Sequence, residues 1–249
     1  MTAAPASLDI VIPTYNEADG ITAMLASLDT AVEAARSILP EFKIATIVVD
    51  GGSSDSTRQQ VAECGFQCLE SPKKGRGNQI AHGINHLSGE WILILHGDCL
   101  VKSEALTELY NALAEKDDVG WGIIGHDYDE SGFLFWLTRL MNRRRFDSKG
   151  LGYGDQGQFV NRSILEDKGG FPRIPLMEDV ELSLLLENVP RIRLGEWLIA
   201  SSRQWRKKGF WRYSIQNLKY AKNYIRERRS GRSASQLAEA LYDRYYSSQ

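Results

Sequence analysis

Five apolar residues in a row, Trp91 to Leu95, followed at once by His96, Gly97 and Asp98, set the strongest limit on how this chain folds. An unbroken run of this kind marks a strand buried on both faces. Strand-like runs at 8–13, 44–50, 66–69, 91–95, 119–125, 158–161 and 193–200 alternate with helix-like patterns at 17–38, 55–63, 77–87 and 103–115. Short buried strands separated by amphipathic helices predict an α/β fold with a mainly parallel sheet covered on both faces. In such sheets ligands sit beyond the carboxyl ends of the strands. Burial upstream therefore fixes Asp98 while its carboxylate meets the cleft. The same arrangement recurs where "DIVIP" gives way to residues 14–17 and where "IATIVVD" closes on Asp50.

Composition adds exclusions. A chain of 249 residues that is 43% hydrophobic and 25% charged is an ordinary soluble globular protein. No run reaches the ~18 apolar residues that a bilayer span requires. The N-terminus, "MTAAPASLDIVIPTYNE", has neither a basic stretch nor a long apolar stretch, so no signal peptide is expected. Cys64, Cys68 and Cys99 are too few and too irregular for a disulfide framework, which points to a reducing compartment; without a second ligand pair they offer no zinc site. The formal charge is only −2, but eleven Lys or Arg against the single acid Glu227 lie between 203 and 232. That segment reads as a basic helical appendage rather than a second core.

Several motifs carry chemistry. In "VVDGGSSDST", Ser54 or Asp55 suits a helix cap, while Asp50 is not needed for capping and could accept hydrogen bonds from a nucleotide. A dinucleotide-binding fold would place G-x-G-x-x-G after the first strand, where this chain has "IPTYNEADG". "SPKKGRGNQIAHG" gathers Lys73, Lys74 and Arg76 before a helix, as either a solvated loop or a phosphate-facing one. His82 and His86 have a metal-compatible spacing, but Gly83 stands where H-E-x-x-H needs Glu, so packing or surface roles are expected. "PLMEDVELSLLLE" opens a helix with acids that the helix dipole explains for Glu181 and Glu187, whereas Glu178 and Asp179 could project into the cleft. Trp197, Trp205, Phe210 and Trp211 read as packing, with Trp205 also a candidate to line a substrate site.

Together "VIPTYNE", "VVDGGSSDST", "GRGNQIAHG", "LHGDC" and "GDQGQFVNRSILEDKGGFPRIPLMEDVELS" resemble family 2 glycosyltransferases of the GT-A fold, in that family's order over residues 8–205. "MEDVELS" and "SSRQWRKKG" further resemble the compact bacterial subgroup found near radical-SAM or selenium-related genes. The resemblance implies a catalytic domain at 1–205 and a basic helical extension at 206–249. It implies inverting transfer of a sugar from a nucleotide-diphosphate donor to an acceptor hydroxyl, assisted by a divalent cation, Mn²⁺ or Mg²⁺. Pro13, Thr14, Tyr15 and Glu17 would border the nucleotide, Asp50 would contact its base, and Arg76 and Asn78 would lie beside it. Asp98 matches the metal-binding acid of D-x-D, and Asp179, with Glu178 beside it, matches the catalytic base. His96 replaces the first D-x-D acid; it would bind the ribose, or the cation as a neutral ligand better suited to Mn²⁺. Arg203 and Trp205 have the wrong spacing for Q-x-x-R-W, which argues against a processive polymer synthase. A nucleotidyltransferase and a catalytically silent nucleotide-sugar binding protein are the alternatives. No nucleic-acid partner is expected.

The tail says more than the resemblance does. Phe210, Tyr213, Asn217, Tyr220 and Tyr224 recur every three or four residues, broadened by Trp211, Ile215, Leu218 and Ile225 and surrounded by Lys and Arg. Either the stripe packs on the catalytic domain, or residues 206–232 attach a cytoplasmic protein to an anionic inner leaflet, near a lipid-linked acceptor.

Overall fold

The structure, a computed structural model, describes residues 4–116 and 118–246. The elements run β1 (Ser7–Thr14), α1 (Ile21–Ile38), β2 (Lys43–Asp50), α2 (Thr57–Glu63), β3 (Cys68–Glu70), α3 (Arg76–Ile84) and β4 (Trp91–Ile94). Then come β5 (Cys99–Val101), α4 (Ala105–Glu115), β6 (Trp121–Ile123), β7 (His126–Tyr128) and α5 (Phe133–Lys149). A 3₁₀ turn (Gly154–Gln156) leads into β8 (Gln158–Asn161), α6 (Arg162–Asp167), α7 (Glu178–Leu185), β9 (Arg191–Arg193) and β10 (Leu198–Ala200). The chain continues through α8 (Arg203–Lys208), α9 (Phe210–Arg229) and α10 (Ala234–Tyr246).

A seven-stranded sheet in the order β3-β2-β1-β4-β8-β6-β9 forms the centre. Its pairs are parallel except those of β8, which runs antiparallel to both β4 and β6. The two-residue period of a strand divides the core between the faces. Leu8, Ile10 and Ile12 meet Leu25 and Leu28 of α1 and Leu106 and Leu109 of α4. Val11, Ile47 and Val49 meet Ile80 and Ile84 of α3, with Phe146 and Leu182 further along that face. Asp9 breaks the apolar pattern of β1, but its Oδ2 accepts from Arg162 Nη2 at 2.7 Å and from the Gly89 N–H, so the buried carboxylate is paired.

Two departures from the sequence reading matter for the site. The run at 193–200 divides: β9 stays in the large sheet, whereas β10 joins β5 and β7 in a separate three-stranded sheet. The second departure is α5, seventeen residues with no periodic apolar stripe to announce it; only Asn142 and Phe146 are buried.

Candidate active site

The carboxyl ends of β1 and β2 form one stitched surface. Asn16, in the left-handed conformation at φ 53°, accepts from the Ser54 N–H at 2.9 Å through its side chain. Its own N–H donates to Ser53 Oγ, and the Glu17 N–H donates to Thr57 Oγ1, each at 2.9 Å. Gln79 of α3 ties in a third element, donating Nε2 to the carbonyls of Thr14 and Val49 at 2.7 and 2.8 Å. Pro13 and Thr14 are buried within this frame, while Tyr15 is exposed.

Asp50 differs from its sequence reading. The side chain is fully buried, and Oδ2 accepts from the Gly52 and Ser53 N–H groups at 2.9 and 2.8 Å. Oδ1 accepts from the Ser53 hydroxyl and, at 3.5 Å, from Thr14 Oγ1. Asp50 therefore holds the Gly51–Gly52–Ser53 turn in shape, a capping role that its place at a strand end does not announce. Ser56 rather than Ser54 or Asp55 is the N-cap of α2, and Asp55 just before it accepts from the N–H and hydroxyl of Thr57 and from the Ala18 N–H.

Arg76 opens α3 and donates to Glu178, the first residue of α7. Lys73 and Lys74 are exposed, and Asn78 donates Nδ2 to the Lys74 carbonyl at 2.7 Å, closing the loop on itself. The loop is backed by Pro175: a Cβ on Gly75 would collide with that residue's backbone. Met177, just before Glu178, is at φ 65°, a conformation that costs a non-glycine residue about 1–3 kcal/mol. With Asn16 it makes the pair of non-glycine positive-φ residues among the described residues. Burial pushes the Glu178 carboxyl up, opposed by Arg76 and reinforced by Asp179.

Asp179, the second residue of α7, is half-buried. Its Oδ2 accepts from the Gly154 N–H at 2.8 Å, and Oδ1 accepts from the Val180 N–H at 2.8 Å. Gly154 in turn packs flat on the His96 imidazole, where a Cβ would occupy the space of Nε2. Gly154→Ala is therefore expected to displace either His96 or the donor to Asp179. The overpacking should cost about 1–2 kcal/mol, read as a lowered denaturation midpoint.

His96 and Asp98 emerge after β4. Burial, with Arg76 nearby, drives the His96 imidazole down to about 3, so it is neutral at ordinary pH. Burial pushes Asp98 up, with Asp155 adding to the shift and Arg203 and Arg76 opposing it. Glu17 is raised to about 6 by burial and by the Asp98 charge, although Arg203 Nη2 donates to its Oε2 at 2.6 Å. The acids at the strand ends thus share one field, with Arg203 and Arg76 as its cations.

Sequence reasoning missed Asp155, which the 3₁₀ turn carries to the same place. Its Oδ2 lies 3.7 Å from His126 Nε2, and its buried Oδ1 has no hydrogen-bond partner. The only signal available was its place inside "GDQGQ". Glu181 lies in the first turn of α7, as the dipole reading expects. Beyond any dipole role, it accepts from Tyr224 Oη at 2.8 Å and from Arg228 Nε and Nη2 at 2.8 and 2.7 Å. Trp205 packs with Tyr128, Phe135, Phe210 and Tyr213 and donates Nε1 to Ser214 Oγ. His82 of α3 and His86 in the turn after it pack edge to face, and among the described residues no group of three His, Cys, Asp or Glu is arranged to hold a metal ion.

A mainly parallel sheet with one reversed strand, helices on both faces, and acids gathered at its carboxyl edge defines a protein of the GT-A fold class. The chain belongs to glycosyl transferase family 2, whose pattern matches residues 9–166. Among curated proteins it is 36% identical over 105 residues to a dolichyl-phosphate beta-glucosyltransferase of Trichomonas vaginalis, covering 40% of this chain and 31% of that protein. It is 26% identical over 160 residues to an undecaprenyl-phosphate 4-deoxy-4-formamido-L-arabinose transferase of Klebsiella pneumoniae, covering 60% of this chain and 46% of that one. The chain thus spans less than half of either relative. Among solved structures, S. aureus TarS 1–349 superposes with a TM-score of 0.60 at 18% identity, over 80% of this chain and 61% of that 1–349 chain. The glucosyl-3-phosphoglycerate synthase of Mycobacterium tuberculosis, solved with Mn²⁺, uridine diphosphate and glucosyl-3-phosphoglycerate, gives 0.55 at 16%, over 76% and 70%. These last two likenesses establish the fold alone.

Proposed function

We propose that this chain is an inverting glycosyltransferase that moves a sugar from a nucleotide-diphosphate donor to an acceptor hydroxyl. The observation that carries the reading is Asp179: a carboxylate on a helix opening, oriented by the N–H of Gly154, the residue that packs against His96 after β4. A hydroxyl is too weakly acidic to attack an anomeric carbon unaided, and a placed base contributes roughly 10²–10⁴-fold. Attack by the acceptor oxygen forms the new glycosidic bond as the bond to the diphosphate breaks, and Asp179 takes the hydroxyl proton. Pro13, Thr14, Tyr15, Glu17, Arg76 and Asn78 would border the donor. Asp50 would act there through the turn it shapes.

The residues fit a divalent cation, Mn²⁺ or Mg²⁺, in one way. Asp98 would hold it, with His96 as a neutral neighbour, and the donor phosphates would complete the coordination, as Mg²⁺ sites with one or two carboxylates require. Such a cation would neutralise charge developing on the departing diphosphate. The names of the relatives, with uridine diphosphate, Mn²⁺ and polyprenyl phosphates among them, support this reading. We place the chain in the compact bacterial subgroup on its "MEDVELS" and "SSRQWRKKG" segments.

Product analysis tests the proposal. Incubation with UDP-, GDP- and dTDP-sugars, Mn²⁺ or Mg²⁺ and an acceptor panel should release nucleoside diphosphate, with inverted anomeric configuration in the product. Release of pyrophosphate would indicate nucleotidyl transfer instead. Donor binding without turnover on any acceptor would indicate a silent binding protein.

We read residues 1–205 as the catalytic domain and 206–249 as an extension, the outermost residues 1–3 and 247–249 lying outside those described. The tail stripe divides in two. Tyr224 is buried and Phe210, Tyr213, Asn217 and Tyr220 are half-buried, whereas Trp211, Ile215 and Leu218 are exposed beside exposed Arg212, Lys219 and Lys222. Phe133 and Trp136 of α5, stacked on one another, are also exposed, while Phe135 between them meets Phe210 on the half-buried side of α9. Among the described residues no helix is long and apolar enough to cross a membrane. The exposed face suits attachment to an anionic inner leaflet, where each nearby cation contributes ~1 kcal/mol, close to a lipid-linked acceptor. Arg228, counted in the sequence with the free cations, is instead committed to Glu181. Replacing Lys207, Arg212, Lys219 and Lys222 by Gln should therefore weaken co-sedimentation with anionic vesicles at low salt. Equal partition onto neutral and anionic vesicles would leave the face without that role.

A further inference from the structure

We propose that Asp155 is the second carboxylate of the cation and diphosphate site, supplying from the 3₁₀ turn the charge that His96 does not supply after β4. The proposal rests on the glycosyltransferase reading for the identity of the ligand, a divalent cation carrying a nucleoside diphosphate. It stands on its own geometry for the residues.

Three observations point to a ligand. Asp155 Oδ1 is buried without a hydrogen-bond partner, and a carboxylate oxygen in that condition is costly unless something else satisfies it. His126, 3% exposed, faces Asp155 with Nε2 at 3.7 Å, and neither of its ring nitrogens has a hydrogen-bond partner. His96 Nε2 is buried and likewise unpartnered against Gly154, the residue that precedes Asp155. Four polar atoms without partners thus line one small region between the end of β4 and the turn. Such a concentration is unusual where most buried polar side-chain atoms are paired.

The chemistry fits a hard cation shared with a substrate. Imidazole offers one neutral nitrogen, so a D-x-D segment rewritten as His96-Gly97-Asp98 loses one unit of negative charge. Asp155 returns that unit from another part of the chain, on the turn whose Gly154 lies against His96. Two carboxylates and two diphosphate oxygens would provide the oxygen set that Mg²⁺ or Mn²⁺ prefers, with water completing it. His126 would orient Asp155 from behind, as ligand carboxylates are commonly oriented by a supporting group.

The test is a binding experiment. Free Mn²⁺ is followed by its electron paramagnetic resonance signal as the full chain is titrated, alone and with UDP, GDP or dTDP. Asp155→Asn should weaken Mn²⁺ binding in the nucleotide-containing titration by roughly tenfold or more, the scale on which even supporting residues of metal sites count. Asp98→Asn should do the same, and Asp155→Glu should restore much of the loss while the melting temperature stays near that of the unaltered chain. Unchanged Mn²⁺ binding in Asp155→Asn alongside loss in Asp98→Asn would overturn the proposal, leaving Asp98 to hold the cation without it. Failure of the unaltered chain to take up Mn²⁺ with any of the three nucleotides would overturn it as well. Neither outcome depends on turnover, so each is distinguishable from a failure of the transfer reaction, which is judged by its products.

Discussion

Asp179→Asn is expected to lower turnover by ~10²-fold or more with donor binding little changed. The substitution keeps the size of the side chain and removes its ability to take a proton. Its carboxylate is fixed by two backbone N–H groups, Gly154 and Val180, so the amide can keep a similar position by offering its oxygen to Gly154. The loss should therefore appear in kcat rather than in donor affinity. Lipid-phosphate acceptors make the result sharper. An ionised phosphate oxygen needs no base, so with such an acceptor Asp179→Asn would cost far less than with a hydroxyl. Near-normal turnover on a hydroxyl acceptor would remove Asp179 from the role. A severe loss in Glu178→Gln alone would give the role to its neighbour, whose Oε1 is already engaged by Arg76.

Arg228→Gln is the second large expected effect. Glu181 is 8% exposed and receives three hydrogen bonds, one from Tyr224 and two from Arg228. Removing one partner of a buried ion pair costs about 3–5 kcal/mol because the other charge stays buried. Arg228 is itself 29% exposed, so water screens part of the loss and about 2–3 kcal/mol is expected. Tyr224→Phe, which removes one hydrogen bond, should cost about 1 kcal/mol. Urea denaturation midpoints measure both. An Arg228→Gln midpoint equal to that of the unaltered chain would show that α9 does not depend on this contact.

The main scaffold was readable because it is built from contiguous burial. The runs ending at residues 13, 50 and 95 correspond to β1, β2 and β4, and the residues expected beyond them do line the sheet edge. What escaped notice depends on contacts between distant segments. The helix α5 hides because only two of its side chains are buried, leaving no stripe to read. Each strand of the small sheet is three residues long, too short for a period of two to register. Asp155 reads as part of a turn until the fold lays Gly154 on His96. The turn-holding role of Asp50 stays hidden because its partners, the Gly52 and Ser53 N–H groups, are backbone donors that a sequence does not display. The tail showed an aromatic stripe and a cationic surround but could not say which side faced inward. That was decided by Tyr224 finding Glu181.

The attachment of α9 to α7 has a consequence for how the molecule comes apart. Ala221 and Tyr224 of α9 and Ala238 of α10 form a cluster with Ile174 and Val180, on the stretch that carries Glu178 and Asp179. Cutting the chain after residue 208 would uncover that cluster and leave the Glu181 carboxylate without its three donors. The extension and the sheet are therefore expected to lose structure in one cooperative step, seen in calorimetry as a single peak whose measured and van't Hoff enthalpies agree. Anything that loosens the tail, whether heat, protease or a surface competing for its aromatics, would then act on the helix that holds Asp179.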